Sequence, residues 1–498
     1  MKPEFECHVS YHKRMYRIPL VLLLALPACA QLSPTAQQIA AHLTANHLKA
    51  DVSFLASDTL QGRGTPSPGL DVAAEFIASQ FRRAGLEPVG DDGYFQTAAF
   101  ESVTPNTEGI ELTLESGESL VKADKTSITL QEAASCDLNH TPVVKVTVKD
   151  AADLDGLTAA QVKGNVLLVE FPESTPAIMA AARRVPAVAA KLEAAMVVMV
   201  RGSGPMPMRG GSARLREASA AASKIPVLVV TDPAIRSAVA SMKQATLSVH
   251  IAAPAITPVK LRNVVGLLRG SDPELKDTYV IVTGHYDHLG VRGSGPGDHI
   301  YNGANDDASG TSSVVEIAAA LAQLPARPKR SIVFMALFGE EVGGLGSRYY
   351  CSHPIFPVDH TVADINLEQL GRTDDTEGPT PGQFNLTGFD YTNIAAILSA
   401  AGDEAGIKVV KHEKNSDAFF TRSDNASFAE IGIPDTTLSV SYVYPDYHQP
   451  GDEWQKLDYD NMAKVDVAIG VGLLKIANSP EPPHWNVENP KAARYVKH

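Results

Sequence analysis

Histidine and carboxylate side chains follow several strand-like runs of this sequence. His285 and Asp287 come just after the apolar run 279–283, with one residue between them. Neutral imidazole is a good zinc ligand, and its second ring nitrogen usually donates to a carboxylate that fixes the tautomer. The spacing therefore predicts His285 as a metal ligand and Asp287 as the group that orients its ring.

A glycine-flanked acidic turn offers oxygen donors. Asp306 and Asp307 stand side by side within residues 303–310, where a helix is expected to begin. An acidic residue at a helix start also has an ordinary explanation as a cap. The residues alone therefore leave open which of the two aspartates would bind a metal.

Two adjacent glutamates follow the next apolar run. Glu340 and Glu341 come directly after residues 331–338 and precede a glycine-rich loop. Adjacent carboxylates repel each other unless a cation or a proton lies nearby, and consecutive side chains in extended backbone point in opposite directions. One of them can bind a metal ion while its neighbour faces a substrate.

Two further donors complete the set. Glu368 follows the strand-like run 362–367, and His448 lies in a loop rich in turn residues. Nitrogen and oxygen donors of this kind suit zinc or another divalent ion. Two such ions can share one carboxylate and one water, which creates a hydroxide-like nucleophile near neutral pH. A nearby carboxylate must then accept the proton of that water, and Glu340 is placed for this role.

The elements that position these residues form an α/β pattern. A helical stretch at 309–324 separates the first two apolar runs, which predicts a sheet with helices on both faces. Ligands of such sheets bind beyond the carboxyl ends of the strands. Helices are expected over 39–55 and 70–84, and residues after 476 show no periodicity.

Bulk composition excludes some classes of protein. The chain has 498 residues, 44% of them hydrophobic and 20% charged, which is typical of a globular protein with two or three structural units. A formal charge of −14 disfavours a nucleic-acid binder, because binding phosphates requires a surplus of clustered Lys and Arg.

The amino-terminal segment resembles a secretory signal. Basic residues at 13–17 precede the apolar run 18–26 and small residues at 28–30, which predicts a cleaved signal peptide over 1–30, with 1–14 as a possible upstream extension. The run is too short to span a bilayer. We therefore expect an exported protein, periplasmic or extracellular, without a transmembrane span. A lipid anchor at Cys29 is the alternative.

Cys136 and Cys351 remain in the mature chain, and an oxidising compartment would permit a disulfide between them.

With these motifs the chain resembles the secreted bacterial di-zinc aminopeptidases, a family of the glutamate carboxypeptidase and transferrin receptor superfamily. Residues 54–58 and 62–65 also look like the amino-terminal signature of that family. The resemblance implies a zinc-peptidase domain with a doubly wound mixed α/β sheet of the phosphorylase/hydrolase-like type. It also implies two zinc ions per chain and a peptide or protein substrate.

The resemblance assigns a role to each candidate residue. Asp306 would bridge the two ions, because it begins the family's Asp-x-x-Ser-Gly pattern. His285 and Glu368 would bind the first zinc ion, and Glu341 and His448 would bind the second. Glu340 would be the general base, Asp287 the carboxylate that orients His285, and Tyr447 a group that polarises the substrate carbonyl.

Two positions depart from the family pattern. Glu368 stands where the family usually has Asp, so its carboxylate reaches one methylene further. This difference affects which metal ion the site would prefer. Asn425 replaces the usual His after Asp424, in a segment beginning at Arg422 that resembles a pattern near the substrate pocket.

The resemblance also divides the chain into units. The peptidase domain would comprise residues 31–111 and 259–478, with a β-rich protease-associated domain inserted at 112–258 and a tail at 479–498. Such inserted domains lack catalytic residues, and a lid or a substrate-selecting element is the functional interpretation, with a simple spacer as the alternative.

Aminopeptidase activity is the function that the resemblance favours. A carboxypeptidase or dipeptidase on the same scaffold is the nearest alternative. A glutaminyl cyclase would not require a second zinc, and a non-catalytic receptor-like protein would not require any metal. The sequence leaves the natural substrate and the oligomeric state open.

Overall fold

The structure is a computed structural model that describes residues 32–173, 175–202 and 213–497. The predicted signal peptide over 1–30 and the alternative anchor at Cys29 lie outside these residues. Over the described ranges, no helix combines the length and the apolar character that a membrane span requires.

Strands account for most of the framework. In chain order they are β1 Glu87–Pro88, β2 Phe95–Thr104, β3 Glu111–Ser116, β4 Ser119–Lys122, β5 Ile128–Glu132, β6 Cys136–Thr147, β7 Val166–Phe171, β8 Met196–Arg201, β9 Arg214–Glu217, β10 Val227–Val230, β11 Thr246–Ile251, β12 Ala255–Leu268, β13 Tyr279–His285, β14 Gly290–Val291, β15 Ile300–Tyr301, β16 Ser331–Leu337, β17 Thr361–Leu367, β18 Gln383–Leu386, β19 Lys408–Val410 and β20 Asp435–Ser439.

Helices lie between and around these strands. In chain order they are α1 Pro34–Ala40, α2 Ala45–Leu55, α3 Pro68–Ala84, α4 Ala159–Val162, α5 Pro176–Lys191, α6 Pro233–Ser241, α7 Gly310–Ala322, α8 Leu345–Ser352, α9 Ile394–Ala405, α10 Asn415–Ala418, α11 Asn425–Glu430, α12 Tyr459–Asn478 and α13 Pro490–Ala493.

The larger sheet is mixed. Its strand order is β19-β18-β20-β17-β13-β16-β12-β2-β9, and β1 pairs with β12. The central strands β16, β13, β17 and β20 run parallel to one another, whereas β12 and β2 are antiparallel to their neighbours. The α/β class predicted from the alternating runs is confirmed.

Helices cover both faces of this sheet. Val280 and Val282 of β13 belong to a core that includes α2, α3, α7, α9 and α12. Ile281, between them, packs on the opposite face with side chains of α8 and α11. Because both faces are buried, β16 is apolar at nearly every position, whereas β17 and β20 also carry buried polar residues such as Asp364, Asn366 and Asp435.

Parallel strands deliver the polar residues to one edge. His285 ends β13, Glu340 follows β16, and Glu368 follows β17. Strands β16 and β17 both pair in parallel with β13, so these three residues lie at the same carboxyl edge of the sheet.

A second, eight-stranded sheet is formed by strands between residues 111 and 251, with the order β4-β3-β11-β6-β7-β8-β10-β5. It has its own apolar clusters, which include side chains from α5 and α6. Among the described residues of the predicted unit 112–258, two strands do not join it. β9 pairs with β2 of the larger sheet, and β12 begins at Ala255 and also pairs with β2. The identity and limits of an inserted domain stay a prediction.

Two sequence expectations about helices and the tail were wrong. The helix expected over 39–55 is divided into α1 and α2, because the Thr44 hydroxyl accepts a hydrogen bond from the amide of His47 at 3.3 Å and caps α2. The tail is not wholly irregular, since α13 forms there and Trp485 and Tyr495 pack against Phe420.

Cys136 and Cys351 are both unpaired, so the disulfide that an oxidising compartment would permit is not formed. Cys136 belongs to β6 of the second sheet, whereas Cys351 lies in α8 against the larger sheet.

Candidate metal centre

His285, Asp306 and Glu368 lie close enough together to hold one metal ion. Each offers one ligand atom, and these atoms lie within 4.8 Å of one another. Nε2 of His285 is 3.2 Å from Oδ1 of Asp306, which is about the separation of two ligands on one tetrahedral zinc ion. The sequence-predicted donors of the first ion are therefore brought together.

A second group shares Asp306. His288, Asp306 and Glu341 also offer ligand atoms within 4.8 Å of one another. Nε2 of His448 approaches the same place, 3.1 Å from Oδ2 of Asp306 and 3.5 Å from Oε1 of Glu341. The two oxygens of Asp306 thus face His285 on one side and His448 on the other, as a bridging carboxylate requires.

His288 is a site residue that the sequence does not predict. It is fully buried, and its Nδ1 lies 2.7 Å from Oε1 of Glu341. Its ring packs on Gly303, where an added Cβ would meet the imidazole Cγ at 2.4 Å. Only the tertiary structure brings His288 to Glu341, because nothing in the segment 284–288 distinguishes it from an ordinary loop histidine.

Asp307 points away from the group formed around Asp306. Its Oδ1 accepts hydrogen bonds from the amides of Gly310 at 2.9 Å and Gln369 at 3.1 Å. Asp307 therefore joins the start of α7 to the turn that carries Glu368. Burial would raise the pKa of Asp306, but the facing imidazoles of His285 and His448 lower it overall, so Asp306 stays charged.

Asp287 lies between His285 and Glu340. Its Oδ1 accepts a hydrogen bond from the Glu340 amide at 3.0 Å, and its Oδ2 accepts one from the Thr65 hydroxyl at 3.0 Å. Nδ1 of His285 is 3.6 Å from Oδ1 of Asp287 and 3.2 Å from its backbone oxygen. The residue thus fixes the position of the Glu340 backbone as well as facing the imidazole.

Glu340 and Tyr447 border the group of donors. Burial raises the pKa of the Glu340 carboxyl, and the neighbouring Glu368 raises it further. The Tyr447 ring stacks on His448 with centroids 4.0 Å apart. Burial and the charge of Asp306 raise the pKa of the Tyr447 hydroxyl, so it remains a proton donor at neutral pH.

The buried guanidinium of Arg63 holds the loops behind the centre. The Arg63 guanidinium donates to the backbone oxygens of Tyr286 at 2.8 Å, Asn302 at 2.8 Å and Gly303 at 3.0 Å, and also to that of Leu55. It therefore connects the end of β13 to the loop that leads to Asp306.

Asp452 secures the same loop from the other side. Its carboxylate accepts hydrogen bonds from the amides of Asn305 and Asp306, and from the Tyr444 hydroxyl at 2.8 Å. Because Asp452 and His448 belong to one turn, the position of that histidine is tied to the bridging aspartate. Neither Asp452 nor Arg63 was assigned a supporting role from the sequence.

The residues present fit a divalent metal. Nε2 of His285, both ring nitrogens of His288 and Oε1 of Glu341 are buried and have no hydrogen-bond partner within the described residues. Burial raises the pKa of Glu368 to about 7, so its carboxylate needs a nearby cation to stay charged at neutral pH. A set of imidazole nitrogens and carboxylate oxygens suits zinc.

The sequence around this centre matches a peptidase family. Residues 263–470 match the family model described as Peptidase family M28, and this segment contains every residue predicted for the metal centre. A "Probable zinc metalloprotease" from Pyrenophora tritici-repentis is 28% identical over 273 residues, which are 46% of this chain and 59% of that protein.

Aminopeptidase YwaD from Bacillus subtilis is 23% identical over 252 residues, which are 49% of this chain and 50% of that protein. The chain spans about half the length of the curated relatives it matches. A solved aminopeptidase from Aneurinibacillus sp. strain AM-1 has a TM-score of 0.58 at 20% identity, with 90% of this chain and 97% of that chain covered. This likeness establishes the shared fold. The segment that carries the centre is thus similar in sequence to Peptidase family M28.

Proposed function

We propose that this chain is an exported exopeptidase that uses two zinc ions, and that it removes residues from the amino termini of peptides. The observation that carries the proposal is the placement of Asp306, whose two oxygens face His285 and His448 at 3.2 and 3.1 Å. Glu368 on one side and Glu341 on the other complete two donor groups around it.

Each side chain then has a defined task. Bound zinc lowers the pKa of water and polarises a substrate carbonyl. Glu340, whose pKa burial raises, accepts a proton from the attacking water and passes it to the leaving amine. The Tyr447 hydroxyl, which stays protonated, donates a hydrogen bond to the carbonyl oxygen. The surplus of carboxylates favours a substrate with a free, positively charged amino terminus.

Export is part of the proposal and rests on the leader-like pattern of residues 1–30. We place the protein in the periplasm or outside the cell, with lipid attachment at Cys29 as the alternative. The second sheet, between residues 111 and 251, would then act as a lid or a substrate-selecting element beside the peptidase sheet.

Replacing the general base provides the first test. Glu340→Gln should lower kcat by about 10²–10⁴-fold while the protein keeps two zinc ions, because the amide cannot accept the proton. Zinc content by mass spectrometry and hydrolysis of peptides with free amino termini are the two measurements. Glu413→Gln, at an exposed glutamate, is the matched control. Unchanged hydrolysis in the Glu340 variant would contradict the proposed mechanism.

Paired substrates test which end is cleaved. The same peptides with free and acetylated amino termini should separate the possibilities, and only the free forms should be hydrolysed. Cleavage of the acetylated peptides would replace aminopeptidase with carboxypeptidase, because acetylation leaves the carboxyl terminus unchanged. One zinc ion per chain together with cyclisation of amino-terminal glutamine would indicate a glutaminyl cyclase. A chain without bound metal or activity would indicate a receptor-like protein.

A further inference from the structure

A narrow pocket of about 20 Å³ adjoins the metal centre. Glu368 and Tyr447 contribute to its wall, and both also border the group of metal donors. A substrate group next to the scissile bond would therefore reach the mouth of this pocket. Its chemistry should decide which substrate residue is accepted.

The wall of the pocket is polar. Hydroxyl groups come from Thr387, Ser423, Thr437 and Ser439, and aromatic rings include that of Phe419. Within the described part of the chain, its lining contains no Leu, Ile, Val or Met side chain. Pockets for aliphatic groups are lined mainly by apolar side chains, so this one is better suited to a polar group.

Arg422 supplies the positive charge of the pocket. Its guanidinium carbon lies 4.2 Å from the centre of the Phe419 ring, which holds the planar group against an aromatic face. The side chain is exposed, and it forms no ion pair or hydrogen bond with any residue in the ranges that the structure describes. The other charged residue of the wall, Glu368, belongs to the candidate donors of the first ion.

We propose that Arg422 recognises a carboxylate of the substrate. A guanidinium presents parallel N–H donors that match the two oxygens of a carboxylate, and stacking on Phe419 orients it before the substrate arrives. The carboxylate is either the side chain of an amino-terminal Asp or Glu, or the carboxyl terminus of a very short peptide. The inference rests on the proposed peptidase function and specifies its substrate.

Isosteric substrate pairs test the inference. One pair carries amino-terminal Glu or Gln on the same fluorogenic amide, and the other is a dipeptide with a free or an amidated carboxyl terminus. The wild type should prefer the charged member of one pair in kcat/KM by at least about tenfold, the effect of one charge-assisted hydrogen bond. The pair that shows this preference identifies the source of the carboxylate.

Variants of Arg422 assign the preference to this residue. Arg422→Gln should reduce the ratio to about one, and Arg422→Lys should retain part of it, because lysine keeps the charge without the planar donors. Arg348→Gln, at an exposed arginine on α8, should keep the wild-type ratio. Thermal melting and zinc content verify that each variant folds and holds its metal.

Two results would overturn the inference. Either the charged and neutral members of both pairs are cleaved equally by the wild type, or a preference persists unchanged in Arg422→Gln. Both results still require peptidase activity in the wild type. Absence of hydrolysis of every peptide by zinc-loaded wild type is a different outcome, because it would overturn the proposed function and this inference together.

Discussion

Two imidazoles approach Glu341 at different distances. His448 is 3.5 Å from Oε1 of Glu341 and 3.1 Å from Asp306, separations that suit neighbouring ligands of one ion. Nδ1 of His288 is 2.7 Å from the same Glu341 oxygen, but the two atoms are not aligned as a hydrogen bond requires. His448 therefore fits a ligand of the second ion, and the buried His288 ring orients the Glu341 carboxylate by close contact.

Removing His288 should weaken the second metal ion selectively. We expect His288→Ala to raise the Kd of one of the two zinc ions by about 10–100-fold, the usual effect of losing a group that orients a ligand. Zinc titration in a competing chelator measures both ions. His360→Ala, at an exposed histidine, should leave both affinities unchanged. Equal weakening of the two ions would argue for a general loss of structure instead.

The directly predictable residues are those that end apolar strands. His285, Glu340 and Glu368 could be located because burial of the preceding strand leaves a polar residue at the sheet edge. The choice of Asp306 over Asp307 came from the family resemblance, and the contacts of Asp307 with Gly310 and Gln369 agree with it. His288 and Asp452 act through contacts with residues distant in sequence, which no local pattern reveals.

At the scale of elements, strands were easier to predict than helix limits. The runs that became β13 and β16 are buried on both faces and largely apolar, and β17 has the same burial although it also carries Asp364 and Asn366. The break between α1 and α2 depends on one side-chain cap at Thr44, and the apolar spacing continues across it. Periodicity therefore predicted the buried face of this region but not its division.

Arg63 determines how three elements meet at the centre. It is fully buried, and it donates to backbone oxygens at the end of α2, after β13 and before the Asp306 turn. Arg63→Lys should lower the free energy of unfolding by about 2–4 kcal/mol, because one ammonium group cannot reach all these oxygens. Urea denaturation of the zinc-loaded protein measures the change.

A surface arginine provides the comparison. Arg183→Lys on α5 is exposed and should change the free energy of unfolding by less than about 0.5 kcal/mol. If Arg63→Lys lowers the free energy of unfolding no more than Arg183→Lys does, the guanidinium is not what connects these loops. Water or a lysine would then satisfy the backbone oxygens equally well.

At the scale of the whole molecule, the fold class could be predicted from the sequence, but the pairing of distant strands could not. The α/β class was evident from strands alternating with helices. The pairing of β9 with β2 was not, because it joins a short strand inside the predicted unit 112–258 to the edge of the larger sheet. Pairing between segments more than a hundred residues apart leaves no periodic signal in either one.

The helical layer over the larger sheet encloses a second acidic cluster, separate from the metal centre. Asp51 of α2 faces Glu316 of α7, and Asp466 of α12 accepts a hydrogen bond from the Ser313 hydroxyl at 2.9 Å. His47 and Arg83 each approach Glu316 at 3.3 Å. Burial, and then the charge of Glu316, raise the pKa of Asp51 to about 8.

This cluster makes stability depend on pH. Asp51 loses its proton near pH 4 in the unfolded chain but near pH 8 in the folded chain, so the folded state holds an extra proton between these values. The free energy of unfolding must therefore fall as pH rises through that window. Asp51→Asn cannot ionise, so it should be more stable than wild type by roughly a few kcal/mol above pH 8 and nearly equal to it near pH 4.

Urea denaturation of both proteins from pH 4 to pH 9 measures this difference, and taking the difference cancels the titration of the metal centre. Asp359→Asn, at an exposed aspartate, should follow the wild-type curve throughout. A difference between Asp51→Asn and wild type that stays constant across the range would mean that Asp51 has an ordinary pKa. The two curves must diverge with rising pH because the carboxyl group, buried between three helices of the layer, loses its proton only against the charge of Glu316.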